Sequence, residues 1–378
     1  MTKTMVQVAI KEFAPALIAW QKTHGRHDLP WQNTRDPYKV WLSEIMLQQT
    51  QVVTVKDYFA RFLAAHPTVA SLAKASLDDV LALWSGLGYY SRARHMHRCA
   101  QDVVALHGGA FPQTAEVLQT LPGIGPSTAA AVSSLCFSER VAILDGNVKR
   151  VLTRLLGFDA DLAKSANEKA LWQLATQVLP QDEKNGDLWA AMPHYTQGIM
   201  DLGATLCTTR NPNCLLCPVE NLCAAKKGGN PEAFPVKTKT LKRTSQSLWL
   251  LWLTQVGGQA DGSVYLEQRP TPGVWAGLYC LPVFDSFEAL TAAVSPADVL
   301  LLQDGEVFKH VLTHKDLHIH PVHLAISSKS AAKSAIKVAG QWFAANEWPK
   351  LGLPAPVRKL LKSAHETISS ATPDAASK

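Results

Sequence analysis

Four of the seven cysteines fall between Cys207 and Cys223, spaced C-x6-C-x2-C-x5-C, while Cys99, Cys136 and Cys280 stand apart. No other feature restricts the fold as strongly. With no export segment at the N-terminus, thiols this close in sequence point to a loop wrapped around metal rather than to disulfides. Such a quartet can hold zinc or a [4Fe–4S] cluster, and either needs deprotonated sulfur in a preformed loop. Zinc sites more often carry two C-x2-C pairs, and here Cys214 and Cys217 form the single one.

Upstream of this loop the pattern is helical. Val8, Ile10, Phe13, Leu17, Ile18 and Trp20 recur at helical spacing across Val6 to Lys22. Helical patterns return from Tyr38 to Phe62, from Leu77 to Ala105 with a break at Ser85 to Arg94, from Thr114 onward, and from Asn167 to Val178. No convincing strand alternation precedes Cys223. A chain of 378 residues exceeds one comfortable core. The composition changes beyond Cys223: a basic, Gly/Pro-marked linker covers residues 228–246. Strands are then predicted at Ser247 to Thr254, Ser263 to Gln268, Leu278 to Phe284, Glu306 to Leu312 and Leu317 to Ala325. The expected organisation is a mainly α domain over 1–227, the linker, an α+β domain over 247–362, and a disordered, polar tail over 363–378. Hydrophobic content of 47% with 18% charged residues excludes global disorder, and the net charge of +6 is compatible with an anionic partner. No apolar run is long enough to span a membrane, which makes the cytoplasm the default compartment.

The candidate chemistry lies in the helical half. Two glycines in Leu121-Pro122-Gly123-Ile124-Gly125-Pro126-Ser127-Thr128 describe a tight turn between helices, the second beginning near Pro126 to Thr128. The unpaired N–H groups of such a turn, at the positive end of a helix, form an anion site that suits a DNA phosphate. Asp145 stands where a loop hands over to the next helix, with Gly146 beside it and Lys149-Arg150 one turn later. Glu44 has Trp41, Ile45, Met46 and Leu47 as neighbours. Half-burial there would raise its pKa. Glycines 86 and 88 beside Tyr89, Tyr90, Arg92 and Arg94 fit either a loop that stacks on bases and contacts phosphates or a packed turn.

Trp41 to Gln51, Gly86 to Arg94, Leu121 to Thr128, Leu144 to Arg154 and the cysteine quartet, in this order and approximate spacing, resemble the helix-hairpin-helix base-excision DNA glycosylases, and most of all those of MutY type. The resemblance implies a helical glycosylase domain, with DNA in a cleft between a hairpin module and a cluster-bearing module, and a MutT/Nudix-like second domain. It makes Glu44 the general acid and Asp145, near Asn147, the stabiliser of an oxocarbenium-like sugar once adenine has been flipped out of the duplex. Trp31 and Gln197 match positions lining the adenine pocket. Gln49, Thr50 and Tyr89 match contacts to the gap and the opposite base, and Gly123, Gly125 and Lys149 contacts to DNA. Cys207, Cys214, Cys217 and Cys223 would hold a [4Fe–4S] cluster.

Ser127 occupies the place of the lysine of bifunctional glycosylase/lyases, so the resemblance implies a monofunctional enzyme that leaves an abasic site. In the second domain no glutamate-rich Nudix signature lies between Gly273 and Gln303, which speaks against nucleotide hydrolysis. Leu312-Thr313-His314 stands where the family places Phe-Ser-His against 8-oxoguanine, Thr313 keeping a hydroxyl. The implied partner is double-stranded DNA with adenine opposite 8-oxoguanine or guanine, bound by a monomer associated with the nucleoid, with other repair proteins as possible company. Two alternatives stand beside this reading. An endonuclease-III-like glycosylase for oxidised pyrimidines would carry lysine at position 127 and lack the second domain. A non-enzymatic iron–sulfur DNA-binding protein would have no use for paired Glu44 and Asp145.

Overall fold

Local sequence fixes the start of the helix that carries Glu44: the Asp36 carboxylate accepts from the Tyr38 N–H and Pro37 takes the first helical position. That helix is one of many in a computed structural model that describes residues 3–181, 188–238, 242–257, 262–327 and 339–370. Contacts divide the chain into two units. One comprises Met1–Lys74 and His95–Thr240, and the other Ala75–Arg94 and Leu241–Lys378.

In chain order the helices up to the cysteine loop are α1 (Lys3–His24), α2 (Pro37–Leu47), α3 (Val52–Ala65), α4 (Val69–Lys74), α5 (Leu77–Trp84), α6 (Tyr90–His107), α7 (Ala115–Leu118), α8 (Pro126–Phe137), α9 (Gly146–Leu156), α10 (Ser165–Gln177) and α11 (Leu188–Thr205), with α12 (Ala224–Lys227) just after it. The described residues of the first unit contain no strand. Its core is built on Phe13, Leu17, Trp41, Leu42, Met46 and Phe62, all fully buried. Each contributes roughly 1.5–3 kcal/mol of burial. The small side chains of α8, Ala129 to Ser134, are buried too, which lets α2 and α11 approach that helix closely.

The helix expected from Tyr38 to Phe62 is in fact two. Gln48 leaves helical geometry, Gln49 adopts a left-handed backbone (φ 57°), and Gln51 precedes α3 without a side-chain cap. Gln49 and Thr50 therefore sit on a loop.

The second unit is an eight-stranded mixed sheet of β1 (Thr244–Val256), β2 (Val264–Gln268), β3 (Tyr279–Cys280), β4 (Val283–Phe284), β5 (Gln303–Asp304), β6 (Phe308–Val311), β7 (Lys315–Ser327) and β8 (Gln341–Phe343). Its backbone order is β3-β2-β1-β7-β5, with β4 on β1, β6 on β7 and β8 on β2. The two long strands β1 and β7 run parallel in continuous register from Thr244↔Lys315 to Val256↔Ser327, and the other pairs are antiparallel. Leu251, Leu253, Tyr265, Val322 and Leu324 form the core on one side with Leu290 of α13 (Phe287–Ala292). A short α14 (Pro296–Val299) follows.

Ala75–Arg94, counted with the helical domain on sequence grounds, packs here. The Tyr90 hydroxyl donates to the Leu353 carbonyl at 3.0 Å and Arg94 to the Ala276 carbonyl at 2.6 Å. Gly352 lies so close to Leu81 that an added Cβ would meet the leucine Cβ at 2.7 Å. The last helix, α15 (Ala355–Ser370), extends into the stretch expected to be disordered, and residues 371–378 of that tail lie outside the described residues. No helix of the described residues is long and apolar enough to cross a membrane.

Candidate active site

Glu44 projects from the third turn of α2, flanked by the buried Trp41, Ile45 and Met46. Burial pushes its carboxyl up to about 7, and the negative charge of Asp145 adds to the rise. Asp145 caps α9, accepting from the Val148 N–H at 2.7 Å. Burial raises its pKa as well, but the N–H groups of Val148 and Asn147 and the charges of Arg150 and Lys149 all pull the other way. The two carboxyls thus lie in opposite kinds of setting, one apolar and one ringed by donors.

Asn147 is fixed twice over. Its side-chain carbonyl accepts from Arg150 at 2.8 Å, and Gly203 of α11 lies against it so closely that a Cβ there would come within 2.8 Å of the asparagine Cβ. Arg150 is spent on structure, donating also to the carbonyls of Cys207 and Gly203. Lys149, expected to offer its charge to DNA, is ion-paired with Glu168.

In the hairpin, Gly123 has φ 76° and an added Cβ would lie 2.6 Å from the Cβ of His95, so only glycine fits. Gly125 caps α8 with nothing within 4 Å of its missing Cβ, leaving open space above the helix N-terminus. The Ser127 hydroxyl accepts from the Leu144 N–H at 3.2 Å and so ties the first turn of α8 to the segment that delivers Asp145. Gln48 reaches Thr128 at 3.4 Å, while Gln49 is exposed.

Trp31 and Gln197 line one cavity of about 360 Å³. Trp31 packs edge-on against Phe59. Gln197 donates its amide N–H to Asp201 at 2.9 Å, which leaves its carbonyl as the free end. Asp201 is fully buried and gripped by Arg26 through both the backbone N–H (3.0 Å) and Nε (2.7 Å). Sequence reasoning missed Arg26 and Asp201. The i,i+4 spacing of Gln197 and Asp201 was the available signal, but the partner that makes it meaningful is 175 residues away.

The four cysteines of the loop also meet in one place. Cys207, Cys214, Cys217 and Cys223 line a small cavity with the buried Arg154, whose guanidinium lies 3.4 Å from the Cys207 sulfur and is held by the Thr208 and Thr209 carbonyls. Among the described residues no three His, Cys, Asp or Glu side chains converge as a single-ion site.

Known proteins resemble this chain in sequence. Residues 42–177 match the HhH-GPD superfamily base excision DNA repair protein family and residues 256–363 the NUDIX domain. The adenine DNA glycosylase of Buchnera aphidicola subsp. Baizongia pistaciae (strain Bp) is 34% identical over 354 residues, 92% of this chain and 95% of that protein. The chain belongs to the adenine DNA glycosylases. The mouse adenine DNA glycosylase is 33% identical over 93% of this chain and 78% of its own length. Among solved structures, a thermostable thymine-DNA glycosylase matches with 28% identity and a TM-score of 0.50, covering 59% of this chain and 98% of that one. An adenine DNA glycosylase is a base-excision-repair enzyme, and in this one the helical and the Nudix-like regions expected from sequence are both present.

The second unit of the glycosylase has its own cavity, about 490 Å³, lined by Gly86–Ser91, Arg94, Gly273–Ala276 and His310–His314. Tyr89, in a left-handed backbone (φ 47°), and Thr313 hydrogen-bond to each other there through their hydroxyls, and His314 shares the wall. Trp275, also left-handed (φ 58°) and buried, contributes an aromatic surface tilted against His310 that sequence reasoning did not single out. Leu312 shares the lining without an aromatic ring.

Proposed function

We propose that this glycosylase hydrolyses the N-glycosidic bond of adenine lying opposite 8-oxoguanine or guanine in duplex DNA, with Glu44 as general acid and Asp145 as the stabiliser of the developing sugar cation. The observation that carries the reading is the unequal setting of the two carboxyls. Glu44, raised to about 7, keeps a proton to give near neutrality. Burial lifts Asp145 as well, but its N–H donors and two cations favour the ionised form, a support that Glu44 lacks. As the bond breaks, the electron pair leaves with adenine, whose N7 takes the Glu44 proton. The positive charge grows on C1′ and the ring oxygen, facing Asp145. Water then adds to C1′ and returns a proton to Glu44, leaving an abasic site. Ser127 offers a hydroxyl that is already an acceptor for Leu144, and no amine for a Schiff base, which supports monofunctional hydrolysis.

Adenine is taken to sit in the cavity of Trp31 and Gln197, and the base opposite is read in the second unit by Tyr89, Thr313 and His314. Gly123, Gly125, Gln49 and Thr50 are assigned to the DNA backbone and the gap. A [4Fe–4S] cluster, when held by Cys207, Cys214, Cys217 and Cys223, would order this loop and supply no step of the base chemistry. Single-turnover cleavage of three duplexes, bearing adenine opposite 8-oxoguanine, adenine opposite guanine, and thymine glycol opposite adenine, tests the reading. Adenine release from the first two alone is expected, together with brown protein carrying about four irons per chain. Excision of thymine glycol would overturn the substrate assignment, and stoichiometric zinc would overturn the cluster.

A further inference from the structure

The cavity that holds Trp31 and Gln197 contains one more ring, His194, which lies in α11 a turn before Gln197. Its Nδ1 lies 2.6 Å from the side-chain carbonyl oxygen of Gln21. A carboxamide oxygen only accepts, so Nδ1 carries the hydrogen and Nε2 is left with the lone pair. Gln21 is well placed to impose this choice because it is 3% exposed and clamped between two glycines. A Cβ on Gly198 would meet its Cβ at 3.0 Å, and one on Gly25 would meet its backbone oxygen at 2.5 Å. The imidazole is thereby held in one orientation and one tautomer. Burial, together with the nearby positive groups Lys22, His27 and Arg35, lowers its pKa and keeps the ring neutral at physiological pH.

Gln197, its amide N–H bound to Asp201, is an acceptor too. The cavity wall therefore presents two acceptors fixed from behind by buried partners, and the 6-position of a purine tells the bases apart: adenine carries an amino group with two N–H donors there, guanine and hypoxanthine a carbonyl. We infer that His194 is a specificity-determining residue of this glycosylase, accepting one N–H of the adenine 6-amino group through Nε2 while the Gln197 carbonyl accepts the other. A 6-oxo purine would bring an oxygen against both lone pairs and leave all three groups unpaired. The inference rests on the reading of this cavity as the adenine pocket.

The test pairs each variant with a substrate lacking the group in question. Single-turnover rates are measured for adenine and for unsubstituted purine, which has no 6-amino group, each opposite guanine, in wild type, His194→Phe, Gln21→Met and Gln197→Leu. The adenine-to-purine rate ratio is expected to fall about tenfold in His194→Phe, the value of one hydrogen bond. It should fall in the same direction in Gln21→Met, which frees the ring from its imposed tautomer and keeps the proposal testable if the phenylalanine variant does not fold. A ratio within about twofold of wild type in both, with a reduced ratio in Gln197→Leu, would overturn the role of His194 while leaving the pocket in place. Ratios unchanged in all three variants would overturn the pocket itself.

Discussion

Glu44 carries two opposing demands. Its raised pKa means the folded chain binds a proton more tightly than the unfolded chain does, so wild type is expected to lose stability as pH rises from the ordinary carboxylate range through about 7. Glu44→Gln, which keeps the shape and removes the charge, should escape that loss. Its melting temperature is expected to match wild type near pH 5 and exceed it near pH 8, while single-turnover cleavage is abolished and duplex binding persists. In wild type the cleavage rate should decline as pH climbs past about 7. A variant melting curve that tracked wild type at every pH would show that the carboxyl is not held neutral. Asp145 separates chemistry from capping in the same way. Asparagine is an equally good N-cap, so Asp145→Asn should retain the fold and slow cleavage by orders of magnitude, whereas Asp145→Ala should also lose about 1 kcal/mol of stability. Thermal melts beside single-turnover rates decide both. The cap at Asp145 and the apolar neighbours of Glu44 were legible because both are local, whereas the pairing of the two carboxyls came only from the family resemblance. The pairing of Lys149 with Glu168 was not legible, because Glu168 lies in another helix, beyond any local pattern.

The hairpin and the helix after it position the carboxyls by close approach. Gly203 of α11 and Asn147 of α9 leave no room for a methyl group. Gly203→Ala is expected to cost roughly 1–3 kcal/mol and to slow cleavage, since the first turn of α9, which carries Asp145, must move. Unchanged cleavage with lowered stability would show that the turn yields without displacing the carboxylate. The same contact data divide the hairpin glycines, which look alike in sequence: Gly123 is demanded by the fold beneath it, against His95, and Gly125 stands before open space. Helix positions were recoverable from periodicity, yet the break at Gln48–Gln51 was not. It turns on one left-handed glutamine, with neither glycine nor proline to announce it.

At the scale of the whole molecule, the sheet of the second unit was legible in its main strands, because β1, β2 and β7 alternate or run apolar between turn residues. The attachment of Ala75–Arg94 to that unit left no trace in sequence. The contacts that make it, such as Tyr90 to Leu353 across 263 residues, follow no period. They also reshape the natural truncation experiment. A chain ending at Thr240 keeps the Phe234 carbonyl that accepts from Arg154, the Val236 carbonyl that accepts from Leu162, and the cysteine loop. It is expected to remain folded and to release adenine opposite guanine. Preference for adenine opposite 8-oxoguanine should shrink, as Thr313 and His314 are gone, and amide exchange should quicken across α5 and the loop before α6, which lose their packing. Retained lesion preference would place the reading of the opposite base outside Leu241–Lys378, with Thr313 and His314 playing no part in it.

The same discontinuity bears on synthesis at the ribosome. Ala75–Arg94 emerges early, but the residues it packs against begin at Leu241, roughly 150 codons later. At about 5–20 residues per second this segment waits on the order of ten seconds without its partner. Leu81, buried in the folded protein, meets Gly352 only when the final third of the polypeptide arrives. A chaperone or a protease acting on the nascent chain would find its opening there, and a hybrid made by exchanging only the C-terminal portion between relatives would set this segment against a partner surface from the other protein.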